Sequence, residues 1–175
     1  MATRDADFSI HVFEKVYQRD SCDCGVDDLN RYLRTQARQD MDRGAAVVYV
    51  TVPFGQPTEI AGYYSLSSTA TRLDDLPEPT RKKLPRYPLV PATLIGRLAV
   101  DQAFRGRRRG ESLLIDALDR SLTASETVAS AAVIVGAKDD TSAAFYARYG
   151  FISFPDQPLR LFIAMRAVEQ LANQR

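Results

Sequence analysis

Residues 97–114, RLAVDQAFRGRRRGESLL, change character twice within a few positions. An apolar stretch typical of a strand ends before Asp101, and four arginines then stand beside Gly106 and Gly110. An amphipathic helical pattern begins directly afterwards at Glu111. A strand, a flexible basic turn and a helix in this order predict an α/β unit. We expect the turn to bind an anion, because the unpaired N–H groups at a helix N-terminus attract phosphate.

The spacing of the glycines restricts the kind of phosphate loop that this turn can be. A Walker loop needs a lysine and then a serine or threonine directly after its second glycine, whereas Glu111 follows Gly110 here. The dinucleotide fingerprint needs glycines in the order Gly-x-Gly-x-x-Gly, which the segment lacks. On the loop alone, a pyrophosphate cradle and a turn of solvated arginines are equally good interpretations.

Length and composition limit the broad class of the protein. A chain of 175 residues can bury a substantial core, and we expect residues 1–175 to form a single domain. Lys plus Arg number 23 and Asp plus Glu 22, so the net charge of +1 neither requires nor excludes a polyanionic partner. There is no apolar run of membrane-spanning length, and the N-terminal segment MATRDADFSIHVF lacks a signal-peptide core. We therefore expect no membrane association and a cytoplasmic protein.

The cysteines indicate neither a metal site nor a disulfide. Cys22 and Cys24 are the two cysteines, and His11 is the single histidine of the chain. Two thiolates and one distant imidazole cannot complete a zinc site, and a bridge across one intervening residue would be strained. We expect free thiols and no metal.

The apolar periodicity predicts a mixed central sheet flanked by helices, in one α/β domain. A β-meander comes first, followed by two strand–helix units and a closing strand. Residues 71–91 are rich in proline and are expected to form an irregular excursion. Strands are predicted at residues 8–12, 45–52, 59–68, 93–100, 131–137 and 159–165, and helices at 26–44, 111–125, 142–150 and in the C-terminal tail.

Two motifs of the second half resemble the GNAT superfamily of N-acetyltransferases. The loop Arg105-Gly-Arg-Arg-Arg-Gly110 resembles the family's Arg/Gln-x-x-Gly-x-Gly/Ala acyl-coenzyme A loop, and the strand IGRLAV runs directly into it. Downstream, AKDDTSAAFYARYGF resembles the family's helix that carries a Phe-Tyr pair and ends in Tyr/Phe-Gly-Phe. Arg108 departs from the pattern, since the first motif glycine normally stands there. Its side chain would either strain the loop or pair with a phosphate.

The first half is similar to the TacT-like acetyltransferase toxins of bacterial type II toxin–antitoxin pairs. FEKVYQRDSCDCGVDDLNRYLRTQARQD, VVYVTV, IAGYYSLSS and RKKLPRYPLVPATLIGRLAVDQAFRG carry a resemblance that runs nearly end to end. It implies acetyl transfer from acetyl-CoA to the α-amino group of aminoacyl-tRNA, which blocks translation. It also implies a ribbon-helix-helix antitoxin as partner, contact with operator DNA only through that antitoxin, and a homodimer as the family's habit.

The same resemblance implies the residues of the donor site. Tyr146 matches the catalytic tyrosine of the family. Backbone groups of residues 98–100 would contact the pantetheine arm, residues 105–110 would hold the pyrophosphate, and the next two residues open the helix behind it. The implied acetyl-CoA-binding residues are Leu98, Ala99, Val100, Arg105, Gly106, Arg107, Arg108, Arg109, Gly110, Glu111 and Ser112.

The chemistry of the acceptor amine favours an α-amine. Deprotonating a lysine of pKa ~10.4 at pH 7 costs roughly 4.6 kcal/mol, whereas an α-amine of pKa ~7.7–8.0 costs about 1–1.4 kcal/mol. The sequence offers no obvious general base: His11 lies in the first strand and has no assigned role. Glu59 or Asp139, acting through water, is the alternative. Tyr146 can protonate the leaving thiolate, since a phenol of pKa ~10 is protonated at neutral pH.

Two basic clusters are candidates for binding the tRNA phosphates. The first forms a solvent-facing strip on the first helix, and the second lies in the proline-rich segment. The alternative is that both are ordinary solvated surfaces. Of Tyr63 and Tyr64, which alternate across a strand, one should pack in the core and the other is a candidate to line the acceptor cleft. The alternative is that both belong to the core, as most such pairs do. The clusters comprise Arg31, Arg34 and Arg38, and Arg81, Lys82, Lys83 and Arg86.

Two other functions stay open at this stage. One is a GNAT acetyltransferase that acts on a small amine or a protein N-terminus. The other is a non-catalytic acyl-CoA-binding regulatory module, which the departure at Arg108 makes conceivable.

Overall fold

The computed structural model describes residues 7–175 as seven strands and six α-helices. Residues 1–6, which begin the N-terminal segment discussed above, lie outside the described residues. The strands are β1 (Phe8–Val12), β2 (Val47–Pro53), β3 (Gly62–Arg72), β4 (Leu89–Val100), β5 (Ala132–Gly136), β6 (Ile152–Phe154) and β7 (Gln157–Ala164). The helices are α1 (Asp27–Arg31), α2 (Ala37–Asp42), α3 (Glu78–Arg81), α4 (Arg109–Ser125), α5 (Asp140–Ala147) and α6 (Met165–Asn173).

The strands form one mixed sheet in the order β1-β2-β3-β4-β5-β7-β6. β1, β2 and β3 pair antiparallel as a meander, with Phe8 opposite Pro53 and Val47 opposite Leu66. β4 and β5 pair parallel, with α4 between them in the chain. β7 returns antiparallel to both β5 and β6. This arrangement confirms the predicted α/β fold class with its mixed central sheet.

The chain divides into two compact units, each described here by itself. The first unit contains the described residues up to Ser67 together with residues 96–117. Its apolar cluster joins β2 to the helix that follows β1, through Phe13, Leu33, Val48 and Val50. The thiols of Cys22 and Cys24 are free and buried in the same cluster, as expected.

The predicted helix over residues 26–44 exists but is not uniform. A π-helical turn, Tyr32–Gln36, separates α1 from α2. Leu33 and Ala37 are fully buried, while Arg31 and Arg34 are exposed and Arg38 is partly exposed, which confirms the basic strip. A π turn inserts one extra residue per turn, and periodicity alone does not reveal it.

Both tyrosines of the β3 pair are buried, which agrees with the alternative that both belong to the core. Tyr63 donates a hydrogen bond to the carbonyl oxygen of Leu29 at 2.7 Å. Tyr64 is 0 % exposed and donates to the carboxylate of Asp116 on α4. Each face of β3 is covered by a helix, so alternation along the strand exposes neither ring.

The second unit contains residues 68–95 and 118–175. Its apolar cluster packs Val90 and Ala92 of β4 with Ile134 of β5 and Phe162 of β7. The proline-rich excursion is shorter than expected, since β3 runs on to Arg72 and β4 begins at Leu89. A 3-10 turn, Leu73–Asp75, and the one-turn helix α3 fill the remainder. Because β3 and β4 pair with each other in the sheet, both strands extend into residues whose sequence shows no strand pattern.

The last elements follow the prediction, with one addition. α5 is capped at its N-terminus by Asp139, and Gly150 adopts a φ of +94° after its C-terminus. β6 was not predicted, because three residues are too few to show an alternating pattern. Among residues 7–175, no helix combines the length and apolar character needed to cross a lipid bilayer. The single-domain organisation stays a prediction.

Candidate active site

Asp101 organises the turn at the end of β4. Its backbone N–H donates to the carbonyl oxygen of Ala61 at 2.8 Å. Its carboxylate accepts hydrogen bonds from the backbone N–H of Ala103 at 2.7 Å and of Asp23 at 2.8 Å. The side chain is 8 % exposed. Our sequence reasoning missed this residue, although an aspartate directly after a strand and before a turn is a familiar capping signal.

The backbone of the loop after Asp101 is left-handed at three successive positions. The φ angles are +84° at Gly106, +53° at Arg107 and +54° at Arg108. A non-glycine residue in this region costs about 1–2 kcal/mol, so the loop is strained at two arginines. The strain that the sequence raised as an alternative for Arg108 is therefore present.

Helix α4 begins directly behind this loop. The N–H of Ser112 donates to the carbonyl oxygen of Arg108 at 3.0 Å, which is the first hydrogen bond of the helix. The N–H groups of residues 109–111 precede that bond and have no acceptor within the helix. The guanidinium of Arg108 points into solvent, 85 % exposed, and lies 3.9 Å from the Glu111 carboxylate. It does not block the start of the helix.

The four arginines of the loop occupy different environments, although we expected them to gather their charge at one place. Arg105 donates from Nη2 to the carbonyl oxygen of Cys24 at 2.6 Å, and Arg107 is exposed. Arg109 is only 2 % exposed, and its Cζ lies 3.3 Å from the centroid of the Phe8 ring. The first turn of α4 faces β1, which places residue 109 inside. The guanidinium of Arg109 is therefore buried against Phe8, apart from the exposed side chains of Arg107 and Arg108.

A cavity of about 570 Å³ lies beside the loop in the first unit. Arg105 and Arg107 line one part of it, and Phe8, Phe54 and Phe104 line another. Phe8 and Phe104 meet edge to face, with ring centroids 5.8 Å apart. Charged and aromatic groups together suit a ligand that carries both phosphate and a flat ring.

Tyr146 lies on α5 in the second unit, within a group of aromatic rings. Its ring centroid is 5.2 Å from that of Phe145 and 5.5 Å from that of Phe151. The residue is 7 % exposed, and burial raises the pKa of its hydroxyl to about 12. Within the described chain, no residue forms a hydrogen bond with this hydroxyl. The phenol therefore stays protonated at neutral pH, and its oxygen has no hydrogen-bond partner among the described residues.

The carboxylate of Asp139, one of the two alternative bases, is occupied by a structural role. It accepts a hydrogen bond from the backbone N–H of Ser142 at 2.8 Å as the N-cap of α5. That bond and the Ser142 side chain hold the pKa of Asp139 below its usual value. A lowered pKa makes it a weaker base. His11 is exposed and lies 2.7 Å from the Ser9 hydroxyl, as a surface residue would.

The two basic clusters are on the surface of their units, and most of their members have acidic neighbours. Arg31 lies 3.5 Å from Asp28 and Arg38 lies 3.2 Å from Asp42. Lys82 lies 3.2 Å from Glu78 and Arg81 lies 4.0 Å from Asp74. Exposed pairs of this kind contribute little to stability, so these side chains can exchange partners at low cost. Lys83 and Arg86 are exposed as well, and Arg34 reaches the carbonyl oxygen of Cys22 at 3.5 Å.

The remaining residues implied by the resemblance lie at the end of β4 and in the first turn of α4. Leu98 and Val100 are partly buried on β4, and Ala99 is buried between them. Gly110 and Glu111 are partly buried in the first turn of α4. Residues 98–112 therefore form one continuous strand–loop–helix segment. No group of three or more metal-ligating side chains occurs in residues 7–175.

No protein-family model matches the chain. A curated relative, the tRNA-acetylating toxin of Mycobacterium tuberculosis, is 33 % identical over 147 residues, which cover 84 % of this chain and 86 % of the relative. The crystal structure of a tyrosine-to-phenylalanine mutant of KacT is similar with a TM-score of 0.88 and 28 % identity, over 94 % of this chain and 99 % of that one.

AtaT complexed with acetyl-methionyl-tRNAfMet is similar with a TM-score of 0.87 and 26 % identity, over 95 % of this chain and 99 % of that chain. AtaTR bound with AcCoA has a TM-score of 0.83 at 25 % identity, and the KacTA–DNA complex has 0.80 at 26 %. The chain therefore belongs to the family of tRNA-acetylating, TacT-like toxins with the GNAT acetyltransferase fold.

Proposed function

We propose that this protein is an acetyltransferase that transfers the acetyl group of acetyl-CoA to the α-amino group of aminoacyl-tRNA and thereby blocks translation. The observation that carries this function is the 33 % identity to a tRNA-acetylating toxin over 84 % of the chain. The likeness to AtaT in complex with acetyl-methionyl-tRNAfMet supports the same acceptor.

Acetyl-CoA is the co-substrate, as in the AtaTR structure bound with AcCoA. We assign its pyrophosphate to the N–H groups at the start of α4 and to the left-handed residues 106–108, with Arg107 and Arg108 as exposed counter-charges. Backbone groups of residues 98–100 would align the pantetheine arm as an added strand. Arg109 is buried, with its guanidinium packed against the Phe8 ring.

Tyr146 is our candidate for the general acid. The acceptor nitrogen attacks the thioester carbonyl carbon, and a strand N–H near Val100 would stabilise the developing oxyanion. The C–S bond then breaks, the thiolate of coenzyme A takes the proton of Tyr146, and the amine loses one proton to solvent. Tyr146 regains a proton from solvent, which restores the starting state. A pKa of about 12 keeps Tyr146 protonated at neutral pH until the thiolate leaves.

The acceptor side favours an α-amine of low pKa. Asp139 is committed to capping α5 and has a lowered pKa, so one of the two alternative bases is weakened. An aminoacyl ester needs little help in losing its proton, because its amine is already partly neutral near pH 7. The clusters Arg31, Arg34, Arg38 and Arg81, Lys82, Lys83, Arg86 are proposed to bind phosphates of the tRNA.

The partners follow from the same relatives. The KacTA–DNA complex supports a cognate antitoxin through which the toxin meets operator DNA. We propose that the antitoxin is a ribbon-helix-helix protein and that toxin and antitoxin repress their operon together. We place the activity in the cytoplasm because aminoacyl-tRNA is found there. A homodimer stays a prediction.

The test is mass spectrometry of aminoacyl-tRNA after incubation with the protein and acetyl-CoA. We expect an added acetyl group on the α-amine and a decrease in kcat of about 10²–10⁴-fold for Tyr146→Phe. Tyr149→Phe on the same segment is the matched control and should keep its activity. Acetylation of free amines alone would favour the small-amine enzyme, and tight acetyl-CoA binding without turnover would favour the binding module.

A further inference from the structure

Arg97 on β4 is a charged side chain with no conventional partner. Its residue is only partly exposed, and its guanidinium Cζ lies 3.6 Å from the centroid of the Tyr32 ring. Among residues 7–175, no group forms a hydrogen bond or an ion pair with the guanidinium. The nitrogens of Arg97 are not among the buried donors that lack a partner, so they are accessible to solvent and free to bind an anionic ligand.

The ring beneath Arg97 is held rigidly. The Tyr32 hydroxyl donates to Asp40 at 2.9 Å, and Tyr32 stacks on Tyr63 with ring centroids 6.3 Å apart. Tyr32 also opens the π-helical turn. Such turns are frequent at functional sites. The guanidinium therefore rests on a fixed aromatic platform that determines its position.

Asp40 is the nearest carboxylate to consider as a counter-ion, and it is already occupied. It accepts from the Gln36 amide at 2.9 Å as well as from Tyr32. The hydrogen bond from Gln36, then that from Tyr32 and the charge of Arg97, hold the pKa of Asp40 below its usual value. Asp40 orients the platform and attracts Arg97 from a distance, but it leaves the donors of the guanidinium unfilled.

The position of Arg97 on β4 relates it to the proposed reaction. It stands one residue before the stretch assigned to the pantetheine arm, and it shares its strand face with Ala99, whose side chain joins the cluster that contains Tyr32. Arg31, Arg34 and Arg38 belong to the helical segment that carries Tyr32. Arg97 therefore packs against the same helical segment that carries these three arginines.

We propose that Arg97 is a phosphate-binding residue of the acceptor site, which holds a backbone phosphate near the 3′ end of the tRNA while Tyr32 supports the guanidinium from below. A planar guanidinium binds phosphate through two parallel hydrogen bonds, which fixes orientation as well as position. This inference rests on the proposed function, because it assigns a residue to that acceptor.

The experiment measures kcat/KM for aminoacyl-tRNA across a series of salt concentrations for the wild type and Arg97→Gln. We expect a decrease of roughly 10- to 100-fold in kcat/KM. The slope of log(kcat/KM) against log[salt] should become shallower by about 0.7–0.9, the change for one lost phosphate contact. The KM for acetyl-CoA should not change.

Three comparisons separate phosphate binding from a structural role. Arg166→Gln, at an exposed position on α6, should leave the slope unchanged. Arg97→Lys, which keeps the charge, should restore the wild-type salt dependence of kcat/KM and should partly restore the KM for aminoacyl-tRNA. An amino acid methyl ester has no phosphate, so Arg97→Gln should acetylate it at the wild-type rate.

The outcomes distinguish this inference from the proposed function. If the wild type does not acetylate aminoacyl-tRNA, the proposed function fails first. If the wild type is active but Arg97→Gln keeps the wild-type slope, or loses activity on the methyl ester as strongly as on tRNA, Arg97 does not bind phosphate and the inference is overturned.

Discussion

Replacing Arg108 by glycine should stabilise the protein, although it removes a charged side chain from a basic loop. The φ angle of Arg108 is +54°, in the region that glycine adopts without steric cost. Its side chain is 85 % exposed, and its nearest carboxylate oxygen, on Glu111, is 3.9 Å away. The substitution thus changes the backbone energy while removing almost no packing.

The magnitude follows from two opposing effects. Relief of the left-handed conformation contributes about 1–2 kcal/mol. Glycine loses more backbone entropy on folding, which costs about 0.5–1 kcal/mol. A distant and exposed ion pair adds close to nothing. The net stabilisation lies between about 0 and 1.5 kcal/mol, and each kcal/mol raises Tm by roughly 2–4 °C in a chain of this length.

Two reference variants isolate the backbone contribution. Arg108→Ala removes the same charge but retains the strain, so its stability should stay close to that of the wild type. Gly106→Ala places a Cβ at a φ of +84°, where no atom lies within 4 Å of it. Its loss of about 1–2 kcal/mol would therefore come from the backbone alone.

Urea denaturation monitored by circular dichroism gives the free energy of unfolding of each variant. We expect the order Gly106→Ala, Arg108→Ala, Arg108→Gly from least to most stable. If Arg108→Gly were less stable than Arg108→Ala by about 0.5–1 kcal/mol, the entropic cost of glycine would stand without any offset. The left-handed backbone at residue 108 would then carry no strain and the reasoning would be refuted.

Two further predictions concern the strand beside the loop and the buried ionisable groups. Gly62→Ala should cost about 1–3 kcal/mol and raise the KM for acetyl-CoA, because its Cβ would lie 2.7 Å from the carbonyl oxygen of Ala99. Thermal unfolding and steady-state kinetics measure both effects. In the control Gly136→Ala the added Cβ meets no atom within 4 Å, so its free energy of unfolding should stay within about 0.5 kcal/mol of the wild type. Equal losses of stability in the two variants would contradict the clash at residue 62. Burial raises the pKa of Cys22 and of Tyr146 to about 12, from 9.0 and 10.0. Both groups stay protonated in the folded chain and ionise earlier in the unfolded chain, so stability should hold below pH 9 and fall between pH 9 and 12. An unchanged free energy of unfolding in urea from pH 8.5 to 11 would contradict this.

Much of the fold could be predicted from local pattern. β2 and β5 are apolar runs that are mostly buried, α4 has an apolar face that is buried, and the predicted α/β class is confirmed. β1 forms as predicted, but its burial does not alternate, since Val12 is exposed. The differences arise where pairing across the sheet overrides local preference. β3 and β4 extend into a segment with several prolines, and β6 is too short for any pattern to show.

The residues of the candidate site also fall into two groups, those that the sequence identifies and those that only the structure identifies. The strand–loop–helix segment over residues 98–112 and the helix of Tyr146 could be found from spacing and resemblance. Asp101 offers the sequence only a local capping signal, and its bond to the distant Asp23 needs the fold. Arg97 offers no such signal, because its role depends on Tyr32, far away in the chain. No local pattern separates Arg109, which is buried, from Arg107, which is exposed.

The sequence by itself determined the α/β class, the basic glycine loop at the strand–helix junction, the free thiols and the kinship with tRNA-acetylating toxins. Only the tertiary structure decided which arginines of the loop face solvent, that Arg107 and Arg108 are left-handed, that Tyr146 lies among aromatic rings, and that Arg97 rests on Tyr32 without a counter-ion. The physical reason is that periodicity and motif spacing report short-range preferences of the chain. Burial, pKa and the pairing of a charge depend instead on neighbours that only folding brings together.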